Sequence, residues 1–342
     1  MSSAESKPDI VQTNEPDDGG VRPEKQGNAS RRYILILLQA GGRRDPLGYL
    51  DRVVLQLLWR KLDAKVQGER DRTEIDVWLE SAGGDAHAAY KLFLDLRSRA
   101  SKIRVVIPDF AKSAATLFVL GTDEVHMGPA AELGPLDMQM EHPDREGIWI
   151  SALDATRALH YVAEFASEYI VEEGGHVHDR TGLPRLDVLR EFSRFAALFF
   201  RPLVAKLDPQ LIHQAANGLD VGRRYAVYML ERRNLGQRDR SVGQEEDCSR
   251  IARHFVEDYP AHEFAISRDE AASHGLPIYW AEEYNLWGAV KQVWQAFRSG
   301  LFFRESAGEP TATVLEVLSE EDMPGFIASL PGGNNGGDSS GS

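Results

Sequence analysis

Residues 74–85 read EIDVWLESAGGD and predict a strand that turns sharply into a helix. Glu74–Leu79 is rich in strand-forming residues. Gly83 and Gly84 allow a tight turn with positive φ, and Asp85 can cap the helix that follows. Such a turn can bind an anion or oxyanion through its free amides. On its own a Gly-Gly turn is more often a simple connection, and it lacks the spacing of a dinucleotide fingerprint or a P-loop.

The alternation of strand and helix extends on both sides of this segment. Further strands are predicted at Tyr33–Leu38, Ile103–Ile107 and Asp123–Met127, and helices at 50–62, 85–96 and 114–120. After Pro143 the pattern turns helical. The helices predicted there cover Ile148–Val171, Leu186–Lys206, Asp220–Arg233, Gln244–Val256, Asp269–His274 and Asn285–Arg298. We therefore predict an α/β fold with a parallel β-sheet core, flanking helices and a helical C-terminal half.

Charge and composition indicate a soluble globular protein of the cytoplasm. The 342 residues are 42% hydrophobic and 27% charged, and the net charge is −14. Most of that charge lies at the ends, since residues 1–30 hold six acids against three bases and residues 305–342 hold seven acids and no base. The sequence has no basic stripe of the kind that nucleic-acid-binding proteins usually show, so no nucleic-acid partner is expected. No export signal and no apolar run of the roughly 20 residues that span a bilayer is present. The single cysteine, Cys248, excludes an internal disulfide framework and fits a reducing compartment.

Composition also predicts the domain organisation. Residues 1–31 are polar and predicted to be disordered, residues 32–304 form the folded domain, and residues 305–342 form an acidic, mostly flexible tail. Within that tail, Thr313–Leu330 favours a short helix folded onto the body, or alternatively a segment that orders on binding a partner. The last residues, Pro331–Ser342, are predicted to be flexible.

A second turn carries a serine. Residues 108–116 read PDFAKSAAT and place Ser113 between a strand and an apolar helix. Small residues after Ser113 permit a tight turn that exposes its hydroxyl and leaves the Ala114 amide free. The nucleophile elbow of α/β-hydrolases uses the same mechanics with a different motif, which is absent here. The alternative is that Ser113 only caps the helix.

Several blocks in a fixed order resemble the ClpP/crotonase superfamily, and within it the serine dehydrogenase proteinase family, which is related to signal peptide peptidase A. The resemblance covers about residues 35–285, with the ClpP-like core at 33–139. The blocks that carry it are ESAGGD at 80–85, AKSAAT at 111–116, TDEVHMG at 122–128, LGPLDMQ at 133–139, HEFAI at 262–266 and EAASHGL at 270–276.

The resemblance implies a site without a cofactor. Ser113 matches the family's nucleophile, the amides of Gly84 and Ala114 match its oxyanion donors, and Gly83 shapes their loop. A serine also needs an aligned base, and the sequence leaves this open. The candidate bases are Lys112, His126, His142, His160, Lys206 and His262. We choose His262, because it matches a family block near an expected return to the sheet, with Asp137 or Glu263 as the orienting acid.

The implied function is an ATP-independent serine endopeptidase that acts on peptides or unfolded proteins and forms a homo-oligomer. The alternative is a catalytically degenerate oligomeric scaffold or peptide-binding module with the same fold. Acyl-CoA chemistry is a third hypothesis, against which Ser113 and the proteinase-like blocks argue. Separately, Glu172–Asp179 (EEGGHVHD) has the composition of a metal-binding loop, although such a run is more often a solvated connection between helices.

Overall fold

The computed structural model describes residues 30–41, 45–142, 145, 148–233, 242–300, 304–306, 309–311 and 313–330. The predicted disorder of residues 1–31 lies outside the described residues except at its end, where Arg31 already begins the first strand. The predicted flexibility of Pro331–Ser342 also lies outside them.

The secondary structure of the described residues alternates strands and helices up to Met127 and is mainly helical afterwards. The strands are β1 (Arg31–Leu38), β2 (Thr73–Glu80), β3 (Lys102–Ile107), β4 (Phe110–Ala111), β5 (Glu124–Met127), β6 (Glu132–Leu133), β7 (Gln139–Glu141), β8 (Trp149–Ser151), β9 (Ile266–Ser267), β10 (Ile278–Trp280), β11 (Arg304–Ser306), β12 (Glu309–Thr311) and β13 (Val314–Ser319). The helices are α1 (Arg52–Lys65), α2 (Ala86–Arg99), α3 (Ala114–Leu120), α4 (Ala152–Thr181), α5 (Arg185–Val204), α6 (Pro209–Arg232), α7 (Val242–Glu257), α8 (Arg268–Ser273), α9 (Trp287–Arg298) and α10 (Met323–Ala328).

The central sheet has the strand order β10-β5-β3-β2-β1-β13. Five neighbouring strands are parallel, and β13 joins β1 in the antiparallel sense. The predicted α/β fold with a parallel sheet is confirmed. Because parallel strands end at one edge of a sheet, the turns that follow β2 and β3 leave it side by side. An additional bridge joins Ser81 to Ala111 just beyond those ends.

Both faces of the sheet are covered, which explains the nearly continuous apolar strands. Val77 and Leu79 point to one face and belong to the larger core, with residues of α1, α2, α3, α6 and α7. Trp78 points to the other face, where it packs with Val290 and Val293 of α9. Helices α6, α7 and α9 of the C-terminal half therefore pack on the sheet, whereas α5 contributes no described residue to either core cluster.

The Glu172–Asp179 segment is helical, so its interpretation as a metal-binding or solvated loop is wrong. Helix α4 continues through it to Thr181 and ends at Gly182, which has the left-handed conformation of a helix C-terminus. Gly174 is buried and faces Val188 of α5, where an added Cβ would make an ordinary contact at 3.6 Å. None of the described helices combines the length and apolar character needed to cross a membrane.

The acidic C-terminal region is folded onto the body over residues 313–330, as favoured from the sequence, but it begins with a strand and not with the predicted helix. Val314–Ser319 is the edge strand β13, with Leu35 opposite Val317, and the short helix α10 follows it. Val314, Leu315 and Val317 are buried. An apolar run that resembles a short amphipathic helix therefore protects the open edge of β1 as a strand.

Candidate active site

Ser113 lies at the turn from β4 into α3 in a strained backbone conformation. Its φ of 50° and ψ of −118° make it the one non-glycine residue with positive φ among those the structure describes. It occupies the N-cap position of α3, yet its side chain does not cap the helix. The capping interpretation is thus wrong, and the hydroxyl forms no hydrogen bond with any described residue. Strained residues of this kind concentrate at functional sites.

Neighbouring hydrogen bonds hold the turn. The Thr116 hydroxyl donates to the Ala111 carbonyl at 2.6 Å and accepts from the Gly134 amide at 3.1 Å. The Leu117 amide donates to the carbonyl of Ser113 at 2.9 Å. The Gly134 loop and the serine turn therefore form one unit.

The glycine turn meets the serine turn directly. Gly83 and Gly84 have φ of 100° and 144°. A Cβ on Gly83 would lie 2.7 Å from the Lys112 carbonyl oxygen and 2.9 Å from the Cβ of Ser113. A Cβ on Gly84 would overlap the carbonyl oxygen of Leu50. Both positions require glycine, and the two turns are in van der Waals contact.

Two backbone amides are available beside Ser113. The Gly84 and Ala114 amides donate no hydrogen bond to any described residue, whereas the flanking Gly83 and Ala115 amides donate to Ser81 Oγ and to the Lys112 carbonyl. Gly84, Ala114 and Ser113 line one cavity of about 990 Å³. Paired free amides next to a hydroxyl are the donors that stabilise an oxyanion.

His262 lines the same cavity and faces a buried carboxylate. Its Nδ1 lies 3.9 Å from Oδ2 of Asp137, a residue that is only 1% exposed. Both atoms are buried without a hydrogen-bond partner, whereas Asp137 Oδ1 accepts from the Leu153 amide at 3.0 Å. A shift of about 1 Å would join them in a normal hydrogen bond, satisfy both, and leave Nε2 as the basic nitrogen of His262. No hydrogen bond links His262 to Ser113.

Short strands explain how His262 reaches this place. β9 begins shortly after it and pairs with β6, which also pairs with β4 just before Ser113. The alternative orienting acid, Glu263, is exposed. Asp137 is therefore the acid that lies beside the histidine.

The other candidate bases lie elsewhere. Lys112 points away from the cavity and pairs with Glu132 at 2.5 Å. His126 lies on the sheet face that carries Tyr284, with which its ring is in contact. His142, His160 and Lys206 do not line the cavity, and His160 pairs with Glu164 on exposed α4.

One histidine of the cavity was missed by the sequence analysis. His87, in the first turn of α2, lines the cavity, and its Nδ1 is 2.7 Å from the hydroxyl of Tyr225 on α6. The signal that could have indicated it is its position two residues after Asp85, the predicted cap of the helix that follows the glycine turn. Nothing in the pattern indicated that α6 would fold over it.

Buried polar groups support the glycine turn from behind. The Ser81 hydroxyl donates to Gln39 Oε1 at 2.6 Å and accepts from the Gly83 amide at 3.1 Å. Glu80 is fully buried and hydrogen-bonded to Trp294 and Arg298. Burial raises the pKa of Glu80 to about 7, although its contacts with Trp294 and Arg298 act in the opposite direction.

Comparison with known proteins points to a family with this architecture. Residues 61–152, which include both turns, match the family described as ClpP-like SDH-type serine proteinase. The resemblance predicted from the sequence is thereby confirmed. The chain is also 36% identical over 66 residues to the uncharacterized protein MJ1495 of Methanocaldococcus jannaschii, across 19% of this chain and 23% of that protein. The uncharacterized protein MJ0137 of the same organism is 35% identical over 66 residues, with the same coverage.

Proposed function

We propose that this chain, which over residues 61–152 belongs to the ClpP-like SDH-type serine proteinase family, is a serine endopeptidase that uses no ATP. The observation that supports the proposal is that the two turns are in contact and that Ser113 lines one cavity together with Gly84 and Ala114, whose amides are free. The substrates would be peptides or unfolded segments of proteins, bound in the cavity above these groups.

The proposed reaction assigns a role to each group. Ser113 Oγ attacks the scissile carbonyl carbon while His262 Nε2 takes its proton, and the two amides stabilise the oxyanion. The carbon–nitrogen bond then breaks, and His262 returns the proton to the leaving amine. Water hydrolyses the acyl ester of Ser113 by the same route. Asp137 orients His262 and stabilises its protonated form.

The triad must tighten before it can react. The Asp137–His262 separation of 3.9 Å and the absence of a Ser113–His262 hydrogen bond describe an open arrangement. Catalytic hydrogen bonds are often long in enzymes without substrate and shorten when it binds. The same observation also favours the rival function, an inactive scaffold that binds peptides through this cavity.

Labelling with a fluorophosphonate probe separates the two functions. We expect the folded chain to be labelled, labelling to be lost in Ser113→Ala, and labelling to persist in Ser193→Ala, which alters an exposed serine on α5. His262→Gln should slow labelling and cleavage of a fluorogenic peptide by at least about 100-fold, in line with loss of a general base. A folded chain that binds peptide but is not labelled would establish the scaffold function. Unchanged labelling in Ser113→Ala would exclude Ser113 as the nucleophile.

The proposal includes self-association through the α4–α5 hairpin, since ClpP-like proteinases commonly work as oligomers. Several large apolar side chains of this hairpin face solvent, among them Leu198 (71% exposed) and Phe199 (58% exposed). Between the helices lies an apolar groove of about 530 Å³. A second copy of the hairpin can cover this surface by helix packing, which would bury the apolar area in a four-helix arrangement.

A further inference from the structure

A second cluster of chemically active side chains lies where α7 approaches α8. It consists of His254, Glu270 and His274, whose potential ligand atoms all lie within 4.8 Å of one another. Each side chain is partly buried, and none of the three lines the cavity of Ser113. Two imidazoles and one carboxylate form a donor set typical of zinc sites, in which the donors lie about 3–3.5 Å apart around the ion. The rings of His254 and His274 pack against each other with centroids 3.6 Å apart, so at least one ring must turn for both to direct a nitrogen at the same ion.

One ligand is already oriented. His254 Nδ1 lies 2.7 Å from Oδ2 of Asp258, one helical turn further along the chain. A carboxylate in this position accepts the Nδ1 proton, so Nε2 is left with the lone pair that binds a metal. Nε2 lies on the side of the Tyr259 hydroxyl, at 3.0 Å.

The Tyr259 hydroxyl joins two members of the cluster. It is hydrogen-bonded to Glu270 and lies 3.0 Å from Nε2 of His254. It has one proton for two acceptors, His254 Nε2 and Glu270. A divalent ion bound by both acceptors would remove this shortage, and His274, which lies within 4.8 Å of them, would supply a third ligand.

We propose that His254, Glu270 and His274 bind one divalent transition-metal ion of the zinc class, with Asp258 fixing the tautomer of His254. The site connects α7 to α8, the helices on either side of the segment that carries His262. A bound ion would therefore hold both ends of this segment. This effect on His262 rests on the proposed peptidase function, whereas metal binding itself does not.

Calorimetric titration of the full, tag-free chain with Zn²⁺ after chelator treatment tests the site. We expect saturable binding of one ion, and a Co²⁺ derivative with the visible absorption of a low-coordinate nitrogen and oxygen site. Asp258→Asn should weaken binding by about 10–100-fold, because it removes the carboxylate that orients His254 and leaves the three ligands in place. Glu270→Gln and His274→Asn remove ligands and should weaken it further. His160→Gln, which alters an exposed histidine paired with Glu164, should leave it unchanged.

The readouts separate this proposal from the peptidase. Ser113→Ala should bind Zn²⁺ as the parent chain does, and hydrogen exchange in residues 258–265 should slow when the ion is bound. Absence of saturable binding in a folded chain, or equal affinity in Glu270→Gln, His274→Asn and the parent chain, would overturn the metal site and leave the peptidase untouched. Metal binding by a chain that cleaves nothing would reject only the peptidase.

Discussion

The backbone of Ser113 stores strain that its neighbours must offset. A non-glycine residue at φ of 50° and ψ of −118° costs on the order of 1–3 kcal/mol. Thr116 and the Gly134 loop supply hydrogen bonds that hold the turn, and Gly83 packs against it without a side chain. The exposed hydroxyl and the adjacent free amide thus result from interactions distributed over three segments.

Gly83→Ala should damage both stability and activity. Its Cβ would be 2.7 Å from the Lys112 carbonyl oxygen, at a φ of 100° that alanine avoids. We expect a loss of about 1–3 kcal/mol in the free energy of unfolding, measured with urea, and a loss of probe labelling that exceeds what unfolding explains. Gly175→Ala is the control, because a Cβ there meets nothing within 4 Å. As a helical position it should gain up to about 1 kcal/mol. Equal free energies of unfolding and equal labelling in the two variants would contradict the close contact between Gly83 and the serine turn.

Glu80 should make the stability of the protein fall as pH rises. Its pKa is raised from 4.5 to about 7 by burial, so between these values the folded state keeps a proton that the unfolded state releases. Stability from this group is therefore fully present below pH 4.5 and is lost as pH rises to about 7. Glu80→Gln should be more stable than the parent chain at pH 8, by up to about 3 kcal/mol, and similar to it at pH 4.5.

Urea unfolding at several pH values measures this difference. Glu282→Gln, which alters an exposed glutamate, should show no such trend. A Glu80→Gln effect of the same size at pH 4.5 and pH 8 would show that Glu80 does not titrate in this range.

At the scale of elements, strand β13 completes the sheet by covering β1. It buries three apolar side chains, and Lys61 of α1 pairs with Glu316 at 2.8 Å. Without it the edge of β1 would be open to other chains.

A chain ending at residue 312 should be less stable and prone to associate. Burial of each large apolar side chain contributes about 2 kcal/mol, so we expect a decrease of several kcal/mol in the free energy of unfolding. Urea titration and size-exclusion chromatography measure both effects. A chain ending at residue 330 retains β13 and serves as the control. An unchanged urea midpoint in the shorter chain would show that β13 contributes little.

Most elements could be predicted from the sequence because their local patterns agree with their environment. The buried parallel strand β1 ends in a continuous apolar run, β3 in a shorter one, and α2 combines an N-cap with an apolar face. The pattern failed where tertiary packing decides. In β13 the spacing of the apolar residues fits a helix as well as a strand, and only the open edge of β1 selects the strand. In α4, Gly174 and Gly175 resemble loop residues but lie within a continuous helix that packs on α5.

The candidate site was predictable only in part. Ser113, Gly83, Gly84 and Ala114 lie in short motifs at strand ends, and parallel topology brings such ends together. The contact between Asp137 and His262 depends on β6 pairing with β9 across a large sequence separation, so no local signal could report it.

On the scale of the whole molecule, the α4–α5 hairpin is unusual for its exposed apolar surface. Phe165, Phe195 and Leu203 are about half exposed, in addition to the two residues noted above. Surfaces of this kind mark interaction sites in soluble proteins.

Leu198→Glu combined with Phe199→Glu should reduce the assembly to smaller species. The substitutions place charges at the centre of the apolar surface, where burial against a second copy would be unfavourable. Light scattering coupled to chromatography should report a lower mass, with unchanged circular dichroism. Val53→Glu, at an exposed apolar position on α1, should leave the mass unchanged. A parent chain that is already monomeric would contradict self-association.

The partnership of β1 and β13 also has a consequence for biosynthesis. Val314, which lies opposite Leu38 in the sheet, is translated long after it. At roughly 5–20 residues per second the delay between the two residues is roughly 15–60 s. During that interval the nascent polypeptide on the ribosome carries an apolar strand without its outer neighbour. Shielding of β1 from other chains until the late strand emerges is therefore expected to govern the yield of correctly folded protein.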